Sequence, residues 1–251
     1  MKNVVFIPNI DLGNGRNKSY EYSINSWKQF CDNHDCELFL LEELVTQVEY
    51  MPIVWQRYFA IDLLEHNNIQ YEQVLIADAD TIVHPDCPNL FEETNGLYSA
   101  VMNDGDYEWV NKSISQYGLK FFNKDNFDTW RYVNGGLQIF NESHKDCIKG
   151  LLNWYDENKK DLLNVFGKWN SCDQTCINFY RDSQNLPMTI LPACYNLQDL
   201  SRKNLLYFHE SQWWSDELHF LKNGWIYHFN AIPQNPMSRD ANYWIERTYK
   251  E

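Results

Sequence analysis

The sequence predicts an α/β protein in which helices flank a mostly parallel central sheet. Two observations support this fold class. Apolar segments of strand length alternate with helical patterns through about residue 100. One of them, "QVLIADADTIV", is apolar up to its aspartates, which is typical of a parallel strand buried on both faces. No repeat, linker or low-complexity segment divides the sequence, so we expect residues 1–251 to form a single domain.

Periodicity, together with Gly, Pro and Asn at the boundaries, predicts the individual elements. The predicted strands cover residues 3–7, 36–42, 73–83, 97–103, 135–141 and 225–229. The predicted helices cover residues 22–32, 51–68 and 143–166, with Ser143 as N-cap of the last. The segment 104–132 has no clear periodicity, and it is predicted to be a long loop that holds one short helix.

The composition narrows the classes of partner. A net charge of −14 argues against nucleic acid or an anionic membrane as the main partner. It leaves room for an anionic small ligand, because one bound divalent cation reverses the local charge. Aromatic residues reach 16%, which suits both sugar binding and an ordinary core.

The cysteines and the first residues bear on the cellular compartment. Seven cysteines occur without a CxxC pair or a zinc-ligand spacing, so we expect reduced thiols. "MKNVVFIPNI" has too few consecutive apolar residues for a signal sequence, and no run approaches the roughly 20 apolar residues of a membrane span. These features predict a cytoplasmic protein without a transmembrane segment and leave open whether it is a homo-oligomer.

Asp78 and Asp80 follow the apolar run directly. Two buried carboxylates one residue apart repel each other, so a cation is expected beside them. In an extended strand, residues i and i+2 point the same way, and hard oxygen ligands favour Mg²⁺ or Mn²⁺. The alternative is a turn before Pro85 in which the aspartates accept backbone N–H bonds.

Four stretches in order resemble one enzyme family. "LIADADTIV" resembles the DxD motif of GT-A glycosyltransferases. The others, "YVNGGLQIFN", "CDQTCINFY" and "WIYHFNAIP", are similar to motifs of the retaining, glycogenin-like branch. The resemblance spans about residues 3–235. It implies a single GT-A (Rossmann-like) domain that moves a hexose from a nucleotide sugar, usually a UDP-sugar, to a carbohydrate acceptor, with Mn²⁺ or Mg²⁺ on the diphosphate.

The same resemblance implies roles for particular residues. His228 would complete the metal site with Asp78 and Asp80, and His209 is a rival with similar flanks. Taken alone, a His on a strand is more often a core residue. Asp173 would bind donor sugar hydroxyls, and Gln174 would lie near the anomeric carbon, which makes this pair the catalytic candidates. The remaining donor contacts would come from Asp78, Ala79, Asn134, Gly135 and Gly136.

Simpler interpretations of these motifs stay open. Asn134 to Gly136 would also suit a tight turn before a strand, and Asp173 would also suit the positive end of a helix dipole. Arg57 projects into an apolar helical row, so it either contacts the donor or forms an ion pair with Asp78 or Asp80.

The donor site has two further features. Pro8 and Asn9 end the first strand at the ligand edge of the sheet, so their position predicts that they frame the nucleotide base. After His228 the family has Gly and then a Lys on the diphosphate. This sequence has Asn230, Ala231 and Gln234 instead, so the expected cation is missing.

The acceptor side is predicted from aromatic content. The segment 103–132 and the pair Trp213 and Trp214 would supply stacking faces, while Asp104 and Asp106 would accept hydroxyl hydrogens. The Trp pair would equally suit one core and one surface position.

Three other functions share parts of this sequence pattern. A sugar nucleotidyltransferase would use the loop "DLGNGRNKS" as its basic Gly-rich loop, and a non-catalytic sugar-binding module would need neither metal nor nucleotide. A haloacid-dehalogenase-type hydrolase fits poorly, because Thr81 comes one residue too early after the aspartate pair.

Overall fold

A six-stranded sheet forms the centre of the protein, in the order β2-β1-β3-β6-β5-β7. The structure is a computed structural model that describes residues 1–105, 107–169, 173–198, 218–232 and 240–251. The strands of this sheet are β1 (Lys2–Pro8), β2 (Glu37–Leu41), β3 (Tyr71–Ala77), β5 (Tyr98–Met102), β6 (Val133–Asn141) and β7 (Met188–Leu191). A second, two-stranded sheet pairs β4 (Thr81–Val83) with β8 (Ile226–His228).

The direction of the strands confirms the mostly parallel α/β prediction. β1 pairs in parallel with β2 and β3, and β5 pairs in parallel with β7. β6 lies between β3 and β5 and is antiparallel to both. The reversed strand therefore begins where β3 ends, with Leu137 opposite Ala77.

Helices cover both faces of the sheet. They are α1 (Tyr20–His34), α2 (Ala60–His66), α3 (Tyr107–Tyr117), α4 (Lys145–Trp169), α5 (Asp173–Ser183) and α6 (Ala241–Lys250). Short 3-10 helices precede α1 at Arg16–Ser19 and α2 at Ile53–Phe59. Among the described residues, no helix combines the length and apolar character that a membrane span requires.

Alternate residues of the central strands pack into two separate apolar clusters. On β1, Val5 and Ile7 face a cluster that includes Trp27 of α1, whereas Val4 and Phe6 face a cluster that includes Ile61 of α2. All four β1 residues are fully buried. Burial on both faces explains why the strand sequences are continuously apolar instead of alternating.

Several element boundaries differ from those predicted. The strand predicted at 73–83 is interrupted: β3 ends at Ala77, a turn carries the aspartates, and β4 begins at Thr81. The prediction that strand periodicity aligns Asp78 and Asp80 was therefore wrong, because a turn sets their directions. Residues 134–136 lie inside β6, so the interpretation of this motif as a turn before a strand was also wrong.

The helical predictions need similar corrections. The segment predicted as a long loop contains α3, which continues into a π-helical turn at Gly118–Phe122. Asn141 replaces Ser143 as the N-cap before α4, because its side chain accepts from the Ser143 N–H and His144 completes a capping box. The helix predicted from residue 51 begins as a 3-10 helix at Ile53.

Asn178 fastens α5 to the sheet. Its Oδ1 accepts from Val133 N at 2.9 Å, and its Nδ2 donates to Val133 O at 2.9 Å and to Gln174 O at 2.8 Å. The residue is fully buried. One amide side chain thus satisfies both backbone groups at the start of β6 and fixes the first turn of α5 against it.

We expect Asn178→Ala to lower the free energy of unfolding by about 2–4 kcal/mol, because it leaves two buried backbone groups without partners. Asn158→Ala is the matched control. Asn158 also donates to the carbonyl four residues earlier, Trp154 O, but this hydrogen bond lies within α4 and does not join two elements. Urea unfolding of the two variants measures the difference. Equal stability of both variants would show that Asn178 is not the fastening residue.

Candidate active site

The turn that carries the two aspartates is held by several elements of the fold. Asp78 N donates to Gly136 O at 2.8 Å, and Phe229 N donates to Asp80 O at 2.9 Å. The Thr81 hydroxyl donates to Asp78 O at 2.6 Å and accepts from Trp27 Nε1 at 2.8 Å. Strands β6 and β8 and helix α1 therefore fix this turn.

His228 meets both aspartates. Its Nε2 lies 3.2 Å from Asp80 Oδ1 and 3.6 Å from Asp78 Oδ2. Its Nδ1 lies 3.1 Å from Asn196 Oδ1, which orients Nε2 towards the carboxylates. The three residues offer ligand atoms that all lie within 4.8 Å of one another. This cluster fits a divalent cation, since two carboxylates and an imidazole are a donor set that Mn²⁺ and Mg²⁺ accept.

Arg57 is buried between two acidic groups. Its Nη1 lies 2.9 Å from Asp78 Oδ1, and its Nε lies 3.5 Å from Asp173 Oδ2. The guanidinium also donates to Gly135 O at 2.6 Å and to Val54 O at 2.8 Å. The structure thus shows an ion pair with Asp78, and the donor contact stays a prediction.

A second arginine, which the sequence analysis did not select, reaches Asp80. Arg16 Nη2 lies 3.2 Å from Asp80 Oδ2, while the Arg16 side chain is 64% exposed. Its Nε donates to the Tyr20 hydroxyl at 2.9 Å. The only sequence signal for it is the loop "DLGNGRNKS", residues 11–19, which contains Arg16.

These contacts change the pKa values of the cluster. Burial alone would raise the pKa values of Asp78 and Asp80, but neighbouring cations hold them below their usual value: chiefly Arg57 for Asp78, and His228 with Arg16 for Asp80. Burial alone would lower the pKa of His228, but Asp80 and Asp78 outweigh it and raise that pKa to about 9. Burial raises the pKa of Asp173 to about 6, against the opposing effect of Arg57.

A cavity of about 510 Å³ opens beside the cluster. The predicted residues that line it are Arg57, Asp78, Asn134, Gly135, Gly136, Asp173, Gln174 and His228. Other walls come from Asn103, Gly105 and Trp109 and from Asn230 and Ala231. A cavity of this size can hold a sugar-sized ligand.

Backbone and amide groups of the cavity wall are tied together. Gln174 Oε1 accepts from Gly135 N at 2.9 Å and from Asn134 Nδ2 at 3.2 Å. Asn134 Oδ1 accepts from Gly136 N at 2.9 Å and from Asn196 Nδ2 at 3.1 Å. The amides of Asn134 and Gln174 therefore set the position of the glycine pair.

Three of the predicted donor residues do not line this cavity. Asn9 lines a separate depression of about 530 Å³ that also includes Asn17, Tyr20 and Leu40. Ala79 is buried in the core cluster of α1, and Pro8 ends β1. Outside the described residues lie His209, Trp213, Trp214, Asp106 and Gln234.

Comparison with solved structures identifies the fold. The chain superposes on a glycosyltransferase involved in the glycosylation of the major capsid of PBCV-1, with a TM-score of 0.61 and 10% identity over 100% of this chain and 99% of that one. The chain has a GT-A glycosyltransferase fold. It also superposes on the glycosyltransferase GlyE of Streptococcus pneumoniae TIGR4, with a TM-score of 0.55 and 15% identity. This second superposition covers 99% of this chain and 60% of GlyE.

Sequence comparisons add nothing to this structural similarity. No protein-family model matches the sequence, and no curated protein is similar to it at a significant level.

Because Gly136 has no side chain, His228 and Asp78 can occupy the space beside its Cα. A Cβ at this position would lie 2.4 Å from His228 Cε1 and 2.5 Å from Asp78 Oδ2, whereas a Cβ at Gly135 would meet Gln174 Cβ at an ordinary 3.4 Å. We expect Gly136→Ala to weaken Mn²⁺ binding by at least about tenfold, because buried ligands must shift. Gly135→Ala is the control and should bind Mn²⁺ like the wild type in calorimetric titration. Equal binding by both variants would contradict this geometry.

Metal binding should release a proton from His228. Its raised pKa keeps the imidazole charged at neutral pH, and a metal ligand must be neutral. At about pH 7.5 we therefore expect Mn²⁺ binding to release about one proton, and the affinity to rise about tenfold per pH unit up to about pH 9. Calorimetry in buffers of different ionisation enthalpy measures this release. Release that persists undiminished in His228→Gln would exclude His228 as its source.

Proposed function

We propose that the protein is a metal-dependent glycosyltransferase that moves a hexose from a nucleoside-diphosphate sugar to a sugar or glycoconjugate acceptor. The observation that carries this proposal is the cluster of Asp78, Asp80 and His228 at the edge of a polar cavity, in a GT-A fold. Reactions of this class build negative charge on a leaving diphosphate, and a divalent cation held at these residues would neutralise it.

The donor sugar is assigned to the cavity beside the cluster. Gly135 and Gly136 present backbone without side chains to the sugar, which permits close approach. Asp173, buried at the start of α5, can accept hydrogen bonds from sugar hydroxyls. Arg57 lies between Asp173 and Asp78 and can donate to the same ligand. The resemblance to the glycogenin-like branch suggests UDP as the nucleotide and retention of the anomeric configuration.

Gln174 is proposed to act by position and not as a nucleophile. Its Oε1 already accepts from Gly135 N, and its Nε2 donates to Asn103 Oδ1 at 3.3 Å. Both ends of the amide therefore hold the cavity wall, and this would keep Gln174 at a fixed distance from a sugar bound in the cavity.

The acceptor is assigned to the part of the cavity that Trp109 lines. Trp109 of α3 lines the cavity, so one aromatic residue of the predicted acceptor segment 103–132 reaches the site. Tyr107 and Trp130 of the same segment are exposed, which suits stacking against a further sugar ring.

A thermal-shift screen of nucleoside diphosphates with and without Mn²⁺ tests the function. We expect stabilisation by a nucleoside diphosphate that requires Mn²⁺, worth about 2.7 kcal/mol at a ligand concentration of ~100 Kd. Asp80→Asn should lose this shift, measured against its own melting temperature, and should lose transfer by a factor of about 10² or more. Asp86→Asn, an exposed aspartate nearby, is the matched control and should behave like the wild type.

Three results would count against the proposal. No Mn²⁺-dependent shift with any nucleoside diphosphate at millimolar concentration would exclude it. Pyrophosphate release from a nucleoside triphosphate and a sugar phosphate would favour a nucleotidyltransferase. Sugar binding that is independent of metal and nucleotide would favour a binding module.

A further inference from the structure

Arg16 occupies a position between the two depressions of the ligand edge. On one side its Nε donates to the hydroxyl of Tyr20, which lines the depression near Asn9. On the other side its Nη2 pairs with Asp80, whose second oxygen faces His228, and His228 lines the cavity of about 510 Å³. The guanidinium therefore lies where a ligand that spans both depressions would pass the metal cluster.

Arg16 supplies an exposed positive charge at this point. Beyond His228, the described residues up to 232 carry no cationic side chain, because the chain continues with Phe229, Asn230, Ala231 and Ile232. Within the described residues, β8 and residues 229–232 that follow it therefore offer no cation to a diphosphate beside the cluster. A guanidinium is well suited to phosphate, since its planar fork can donate two parallel hydrogen bonds to two oxygens.

The surroundings of Arg16 combine a fixed backbone with an exposed side chain. Asn242 of α6 accepts from Ser19 N at 3.1 Å and donates to Gly15 O at 3.3 Å, so the C-terminal helix pins the loop. Gly13 and Gly15 have positive φ angles of 70° and 77°, which favour glycine in this loop. The side chain itself is mostly exposed, so it can change partner without moving the core.

We propose that Arg16 binds the donor diphosphate: the guanidinium that pairs with Asp80 in this structure would exchange that partner for phosphate oxygens of the donor once Asp80 serves as a metal ligand. The proposal rests on the function proposed above. Asp80 holding a divalent cation would no longer offset the charge of Arg16, and the guanidinium would then be attracted to the negative diphosphate beside it.

Two binding measurements with opposite expected signs test it. In Arg16→Gln, the affinity for inorganic pyrophosphate and for UDP in the presence of Mn²⁺ should fall at least about tenfold. The affinity for Mn²⁺ alone should be unchanged or higher, because a competing positive charge has been removed from Asp80. Lys18→Gln is the matched control, since it removes one positive charge from an exposed position two residues away, and Arg16→Lys should restore part of the pyrophosphate affinity.

The outcomes separate this inference from the proposed function. Unchanged pyrophosphate and UDP affinity in Arg16→Gln, or an equal loss in Lys18→Gln, would overturn the role of Arg16 and leave the function standing. Loss of Mn²⁺ binding in Arg16→Gln would also overturn it, because Arg16 would then serve only to orient Asp80. Failure of every nucleoside diphosphate to bind the wild type would refute the function, while the pyrophosphate titration would still report on Arg16.

Discussion

Mutual repulsion among buried aspartates governs the arrangement of this ligand edge. Asp80 and Asp173 are buried and Asp78 beside them is half-buried, and neighbouring like charges in such surroundings cannot all stay ionised without partners. Among the described residues, Arg57, His228 and Arg16 supply the positive charges that offset them. The three cations come from different parts of the chain, so the site can form only when these parts are folded together.

Sharing of cations makes the members of the site interdependent. Arg57 lies between Asp78 and Asp173, and the raised pKa of Asp173 shows that this shared charge does not fully offset its burial. His228 divides its charge between Asp78 and Asp80, with Asn196 behind it. A divalent cation bound by the aspartates would take over the role of the imidazolium charge, which makes the metal-free and metal-bound states two ways of satisfying one electrostatic requirement.

The sequence predicted the parts of the site that local chemistry determines. The apolar run before Asp78 identified the central strand, and the unpaired carboxylates identified the need for a cation. The order of four motifs led to His228, Asn134 and Asp173, which the structure places around one cavity. It could not predict Asn196, Asn178 or Arg16, because their roles depend on contacts between elements far apart in sequence. The interruption at Asp78 was missed for a related reason: residues 81–83 are as apolar as a continuing strand, and only their pairing with β8 shows that they belong to another sheet.

The one reversed strand of the central sheet explains why the glycine pair and the aspartates meet. The parallel strands end at the ligand edge, whereas β6 begins there, so its first residues lie beside the last residues of β3. Gly136 O accepts from Asp78 N, and Gly135 O accepts from Arg57. If β6 ran parallel to its neighbours, its last residue, Asn141, would lie at the site instead of its first residue, Val133. Asn141 caps a helix in this structure. Because β6 is antiparallel, its backbone supports the turn that carries the aspartates. Its two glycines, Gly135 and Gly136, have no side chains and so leave room for His228 and for a ligand.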